Sequence, residues 1–235
     1  SVADFYELPV ETGVEVTGIH RRADSPAATA AAADGGTAVA DSGGEGFVIK
    51  TTDGQQSTEQ VVWAAGHFGQ PRIDVIDGAE HCRHTSTVDS WQEHIDASPG
   101  DEFLVIGGYE SGIDAAVGLH EAGASVQVLD RRWPWAERHP DPSEVLSPYT
   151  LTRLDEVADS DRLSVDGGTV VEGVHRTEAF RVDVRPADSE TPVFVESTTV
   201  PDSYTVATRP LLATGFEPNL GPAEPLFSVD SGTVQ

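Results

Sequence analysis

Lysine is almost missing from this chain: Lys50 is the only one among 235 residues, and arginines supply the rest of the 14 basic side chains that face 40 Asp+Glu. The formal charge is −26 and the isoelectric point about 4.3. That balance excludes a general nucleic-acid binder, which needs clustered cations to displace counterions from phosphates. It also excludes a basic segment that docks on an anionic membrane. Long apolar runs are absent: nothing approaches the ~18 residues of a membrane helix, and no signal peptide leads the chain. The single cysteine, Cys82, allows no internal disulfide and points to a cytoplasmic location. Methionine is absent altogether, even at the first position, as expected of a chain excised from a longer one.

What remains is enough for a core. Leu, Ile, Val and Phe make up 55 of 235 residues, about 23%, above the roughly 20% below which chains stay disordered. The reading is therefore a folded chain with an acidic surface. Acid excess with almost no Lys is the pattern of a halophile, whose carboxylates hold water in strong salt while the salt screens their repulsion.

Residues 5–22 alternate in the manner of strands, and 23–46 form an Ala/Gly/Asp-rich run that Pro26 and the glycines mark as a loop. GFVIKTTDG (46–54) predicts a strand ending in an Asp-Gly turn, and STEQVVWAAG (57–66) predicts a run into a buried strand. Residues 67–100 read as a long connection. EFLVIGG (102–108) is a buried strand stopped by glycines, and Ser111–Glu121 has helical spacing, with Ile113, Ala116, Val117 and His120 on one face and Gly123 as terminator. SVQVLD (125–130) is the next strand, which completes a βαβ unit of about 30 residues. A short helix near 144–157 and strands near 169–175, 179–185, 193–199 and 205–215 follow.

The chemistry concentrates in VIGGYESGIDAAVGLHEAGASVQVLDRR (105–132). A dinucleotide fold needs a strand, a tight glycine turn, and a helix whose N-terminus meets the pyrophosphate with free N–H groups. Gly107 would make the turn, Gly108 would continue it, and Gly112 would let the helix pack closely. Glu110 is counted among the cofactor-binding positions of the turn, and Ser111 would cap the helix or bond a phosphate oxygen. Asp130, 23 positions after Gly107, stands where an acid meets the ribose hydroxyl. Counted from Gly107, the second glycine of G-x-G-x-x-G is replaced by Tyr109.

VIGGYESGIDAA resembles the second, NAD(P)H-binding motif of two-dinucleotide-domain flavoproteins. These include flavin-containing monooxygenases and thioredoxin-reductase-like oxidoreductases. In that family Ala-Thr-Gly strands flank the NAD(P)H domain and join it to the FAD domain. Ala64-Ala65-Gly66 and Ala213-Thr214-Gly215 match them, and AAGHFGQPRI (64–73) is most like the monooxygenase-like members. The resemblance covers essentially the whole chain. It implies an α/β, Rossmann-like NAD(P)H-binding domain with β-meander excursions at 74–207, flanked by partial FAD-domain segments at 1–73 and 208–235. The implied function is to present a nicotinamide to flavin for hydride transfer. The FAD-binding glycine motif is absent from residues 1–20, so the chain is expected to purify without flavin. The partners implied are the dinucleotide, the remainder of the FAD domain and a second copy in a homodimer, within a haloarchaeal cytoplasm.

NAD and NADP remain in competition. Asp130 suits a 2′-hydroxyl, whereas Arg131 and Arg132 suit a 2′-phosphate, for which arginine is the natural fork; the balance tips slightly to NADPH. Trp133 and Trp135 are read as an aromatic anchor, with stacking on adenine or arginine as the alternative. One cysteine excludes a dithiol mechanism within the chain. His81, Cys82, His84, Asp89 and His94 fit no standard zinc spacing, and no metal is assigned. Ser111 falls one place too late for a hydrolase elbow, so no catalytic side chain is named. The competing class is a non-catalytic nucleotide-binding or scaffold module in which Tyr109 blocks the pyrophosphate site.

Overall fold

The computed structural model describes residues 5–24, 46–66, 69–132, 135, 145–187, 200–230 and 233–234. The chain forms two compact units: residues 1–70 with 217–235, and residues 71–216. The divisions fall within two-residue strands, β4 (Gln70–Pro71) and β13 (Phe216–Glu217).

The first unit is built on an antiparallel meander of β1 (Val16–Arg21), β2 (Phe47–Thr51) and β3 (Gly54–Thr58). The β2–β3 turn is the Asp53-Gly54 pair, with Gly54 at φ 140°, a conformation that suits glycine. Ile19 and Val48 are its buried apolar side chains. Near the C-terminus, β14 (Val229–Asp230) and β15 (Thr233–Val234) make a small antiparallel pair.

The second unit is α/β. Its strands β5 (Arg83–His84), β6 (Glu102–Ile106), β7 (Ser125–Leu129), β8 (Leu163–Asp166) and β12 (Leu211–Leu212) form a parallel sheet in the order β5-β12-β6-β7-β8. Side chains alternate across this sheet and bury both faces. Phe103, Val105, Val126, Val128 and Leu211 point to the helical side, where Ile113, Ala116, Val117 and Leu119 of α2 (Glu110–Glu121) cover them. α1 (Trp91–Asp96) and α3 (Pro148–Val157) complete that layer. Leu104, Ile106, Leu129 and Leu212 point the other way. They meet Val174, Val182 and Val184 from a second, antiparallel sheet of β9 (Thr169–Arg176), β10 (Phe180–Pro186) and β11 (Ser203–Val206). The α/β Rossmann-like architecture with a β-meander excursion is therefore the fold observed.

Local signals explain the helix boundaries. Gly123 closes α2 at φ 103°, with its N–H bonded to the His120 carbonyl, as a C-terminal glycine does. The Ser147 hydroxyl accepts the Thr150 N–H, and Pro148 starts α3, where its missing N–H costs nothing. Among the described residues no helix is long and apolar enough to cross a membrane.

Several expectations are corrected. Of residues 5–22 only 16–21 form a strand. The expected buried strand at 61–66 is not one, and Val62 is 90% exposed. Apolar content alone does not hold an extended backbone that has no neighbouring ladder to bond. The single strand read at 205–215 is two, β11 and β12, in different sheets; Pro210, which lacks an N–H, stands between them. The connection at 67–100 contains α1, whose Ser90 hydroxyl accepts the Glu93 N–H as an N-cap. The strand read at 193–199 and most of the run at 23–46 lie outside the described residues.

Candidate functional site

Strand order decides where a site can form. The chain passes from β6 outward to β7 and β8, then returns to place β12 on the other side of β6. Ligands of open α/β sheets bind outside the carboxyl ends of the strands at such a reversal. A cleft of about 470 Å³ lies at this point, walled by residues that follow β6, β7 and β12 and by β9.

The glycine turn is built for close approach. Gly107 has φ 102°, and a Cβ there would stand 2.5 Å from the Ala213 carbonyl oxygen. A Cβ on Gly112 would stand 1.8 Å from the Gly107 carbonyl oxygen, so only glycine lets α2 rest against the turn. Gly108 is buried, and its Cβ position is filled by the Trp135 ring, 2.5 Å away. Trp135 thus packs over the turn, while Trp133 lies outside the described residues. Tyr109 occupies the N-cap of α2 in extended conformation, and its carbonyl accepts the Gly112 and Ile113 N–H groups. Ser111 of the first turn of α2 lines the cleft, at the positive end of the helix dipole, where the first N–H groups of a helix lack intrahelical partners.

Ten of the twelve residues singled out from sequence lie in or beside this cleft in a simple division. Gly107, Tyr109, Ser111, Asp130, Arg131, Arg132, Ala213, Thr214 and Gly215 line it. Gly108 sits just behind it. Two have other structural duties: Gly112 packs helix on strand, and Glu110 turns toward α3, where its carboxylate accepts the Ser147 N–H and the hydroxyls of Ser147 and Thr150. That carboxylate joins the N-termini of α2 and α3.

Asp130 also differs from its expected part. It is 9% exposed; one carboxylate oxygen accepts the Gly108 N–H at 2.6 Å and the other the Arg132 N–H at 2.7 Å. The acid therefore staples the glycine turn to the end of β7. Arg131 and Arg132 are exposed at the rim.

Sequence reasoning missed Arg72, Val75, Ile76 and Thr169–Val171, which also line the cleft. Arg72 falls within the AAGHFGQPRI run, but nothing there singles it out, and no local motif marks the others. Arg72 comes to the cleft because its N–H bonds the Gly215 carbonyl at 3.0 Å and its carbonyl accepts the Thr214 hydroxyl.

The Cys/His segment is spent on packing. Ser86 N–H donates to His84 Nδ1, which leaves Nε2–H to donate to the Gly215 carbonyl at 3.0 Å. Burial lowers the His84 pKa below its ordinary value, although the Gly215 bond opposes this. Burial, aided by the Arg83 charge, lowers that of His94. The Cys82 thiol is buried and pushed up to about 11, mainly by desolvation. Among the described residues no three His, Cys, Asp or Glu side chains converge as metal ligands would.

A family model described as pyridine nucleotide-disulphide oxidoreductase matches residues 37–234. Among solved structures, the chain is similar to the bacillithiol disulfide reductase Bdr (YpdA) of Staphylococcus aureus, with TM-score 0.60, 18% identity, and coverage of 99% of this chain and 58% of that one. The corresponding Bacillus cereus enzyme gives 0.59, 21%, 99% and 60%. An L-lysine 6-monooxygenase of Pseudomonas syringae gives 0.56, 16%, 98% and 60%. The chain spans 58–60% of the length of these structures, and at such identities the likeness is one of fold.

Proposed function

The chain belongs to the pyridine nucleotide-disulphide oxidoreductase family, and from that premise we propose that it is the NAD(P)H-binding portion of an FAD-dependent oxidoreductase. The observation that carries this reading is the glycine cradle: Gly107 and Gly112 leave no room for a Cβ beside the free N–H groups of α2. A bound nicotinamide dinucleotide would supply a hydride. The residues here hold and orient it. Gly107, Tyr109 and Ser111 would meet the pyrophosphate at the helix N-terminus. Gly108 and Gly112 keep the turn and helix in place, and Glu110 fixes the start of α2. Ala213-Thr214-Gly215 would wall the nicotinamide half away from water.

The nucleotide domain, expected at 74–207, is assigned to the compact unit at 71–216, whose sheet includes β12, and the first unit, residues 1–70 with 217–235, is assigned to parts of an FAD domain. The acidic, lysine-poor composition supports a saline cytoplasm.

NADPH is the preferred form. Both Asp130 oxygens already accept backbone N–H groups, whereas Arg131 and Arg132 stand exposed at the rim. Calorimetric titration with NADPH and NADH in high salt is the test. Arg131→Ala is expected to weaken NADPH by roughly tenfold to a hundredfold, the worth of one charge-assisted hydrogen bond, and to spare NADH. An equal loss for both would refute the phosphate role. Failure of a folded sample to bind either would favour the scaffold reading, in which Tyr109 obstructs the turn.

A further inference from the structure

Three arginines line one cleft of a chain whose formal charge is −26. Arg131 and Arg132 follow β7. Arg72 is separated from them by nearly 60 residues and arrives at the other wall, its N–H donating to the Gly215 carbonyl and its carbonyl accepting the Thr214 hydroxyl, both just after β12. β6 and its glycine turn lie between β7 and β12. With neighbouring strands about 4.8 Å apart, the two walls stand roughly 10 Å from each other across the turn.

We infer that Arg72 is a third cationic contact for the dinucleotide, on the nicotinamide side of its pyrophosphate, and so sets affinity for the cofactor's nicotinamide half. This rests on the nucleotide-binding reading above. A dinucleotide whose adenosine lies toward Arg131 and Arg132, with its pyrophosphate at the α2 N-terminus, must send its other half toward β12. Arg72 is the cation on that wall. The residue is exposed and lines the cleft, while its main chain is held by Thr214 and Gly215. The head is therefore carried to the cleft by a fixed backbone and stays accessible to an anion. Arginine suits the task because its fork takes two phosphate oxygens. A neutralising cation also counts for more in this repelling field than on an ordinary surface.

The test compares wild type, Arg72→Gln and Arg72→Lys of the whole chain by titration calorimetry. The ligands are NADPH, NADH, 2′-AMP and 5′-AMP; the last two carry the adenosine half alone. Arg72→Gln is expected to weaken NADPH and NADH alike, by roughly tenfold, and to leave unchanged whichever AMP the wild type binds. Arg72→Lys should recover part of the loss, since charge is kept and the fork is not. The urea midpoint should not move, because the side chain is exposed. Unchanged NADPH and NADH binding in Arg72→Gln would overturn the inference, as would an equal weakening of the AMP. A wild type that binds none of the four ligands refutes the nucleotide-binding reading itself, and this inference with it.

Discussion

Asp130→Asn distinguishes an acid that reads the ligand from one that holds the protein together. In the structure both carboxylate oxygens are occupied by backbone donors, Gly108 N–H at 2.6 Å and Arg132 N–H at 2.7 Å, at a residue 9% exposed. Asparagine keeps one acceptor and turns an NH2 toward the other N–H. One charge-assisted bond is lost, worth about 1.5–3 kcal/mol, and one buried donor is left facing another. The expected destabilisation is about 2–4 kcal/mol, or roughly 5–15 °C in melting temperature for a unit of this size. Whichever N–H is freed, that of Gly108 or that of Arg132, one of the two bonds that tie the glycine turn to the end of β7 is lost, so NADH and NADPH should weaken together. The assays are urea denaturation followed by titration of each cofactor. A variant of unchanged stability that loses NADH selectively would refute the reasoning and return Asp130 to the ribose.

Four further outcomes are expected. Gly112→Ala should unfold the second unit or abolish cofactor binding, because its Cβ meets the Gly107 carbonyl at 1.8 Å and backbone must move, at a cost of about 3 kcal/mol or more. Gly123→Ala, whose Cβ meets nothing within 4 Å, should cost only the left-handed strain of about 1–2 kcal/mol; comparable urea midpoints for the two variants would contradict this. His84 and His94 have folded pKa values below 6.5, so the unfolded chain binds the extra protons first. Their contribution is complete above pH about 6.5 and lost as pH falls through the lower folded values; a midpoint that falls equally in His84→Gln would clear His84 of the effect. With its thiol held near 11, Cys82 should alkylate at pH 8 roughly 100-fold or more slowly in the native protein than in urea, and equal rates would show an accessible thiolate.

The parts of the fold written in short-range pattern were legible. Strand, glycine turn, helix and strand between 102 and 130 each rest on residues close in sequence; Gly107 and Gly123 sit where their backbone freedom is needed, and Gly112 where only a residue without Cβ fits. What escaped depends on distant neighbours. Val61–Gly66 has the composition of a strand, but composition does not supply a ladder. The direction of the Asp130 carboxylate is set by two N–H groups, one of them 22 residues away. Arg72 looks like any surface arginine until pairing near residue 215 brings it to the cleft.

That same tie has an evolutionary and practical reading. Residues 71–216 form one compact unit, and close to its two ends the Arg72 N–H bonds the Gly215 carbonyl at 3.0 Å. A module whose ends meet behaves as an insertion. It can be lost, gained or exchanged at a single point in a host chain with little disturbance to either fold. It can equally be excised and produced alone, or re-opened elsewhere with its old ends fused by a short linker. The first unit is the complement of such a module: two segments far apart in sequence, residues 1–70 and 217–235, that together make one compact unit.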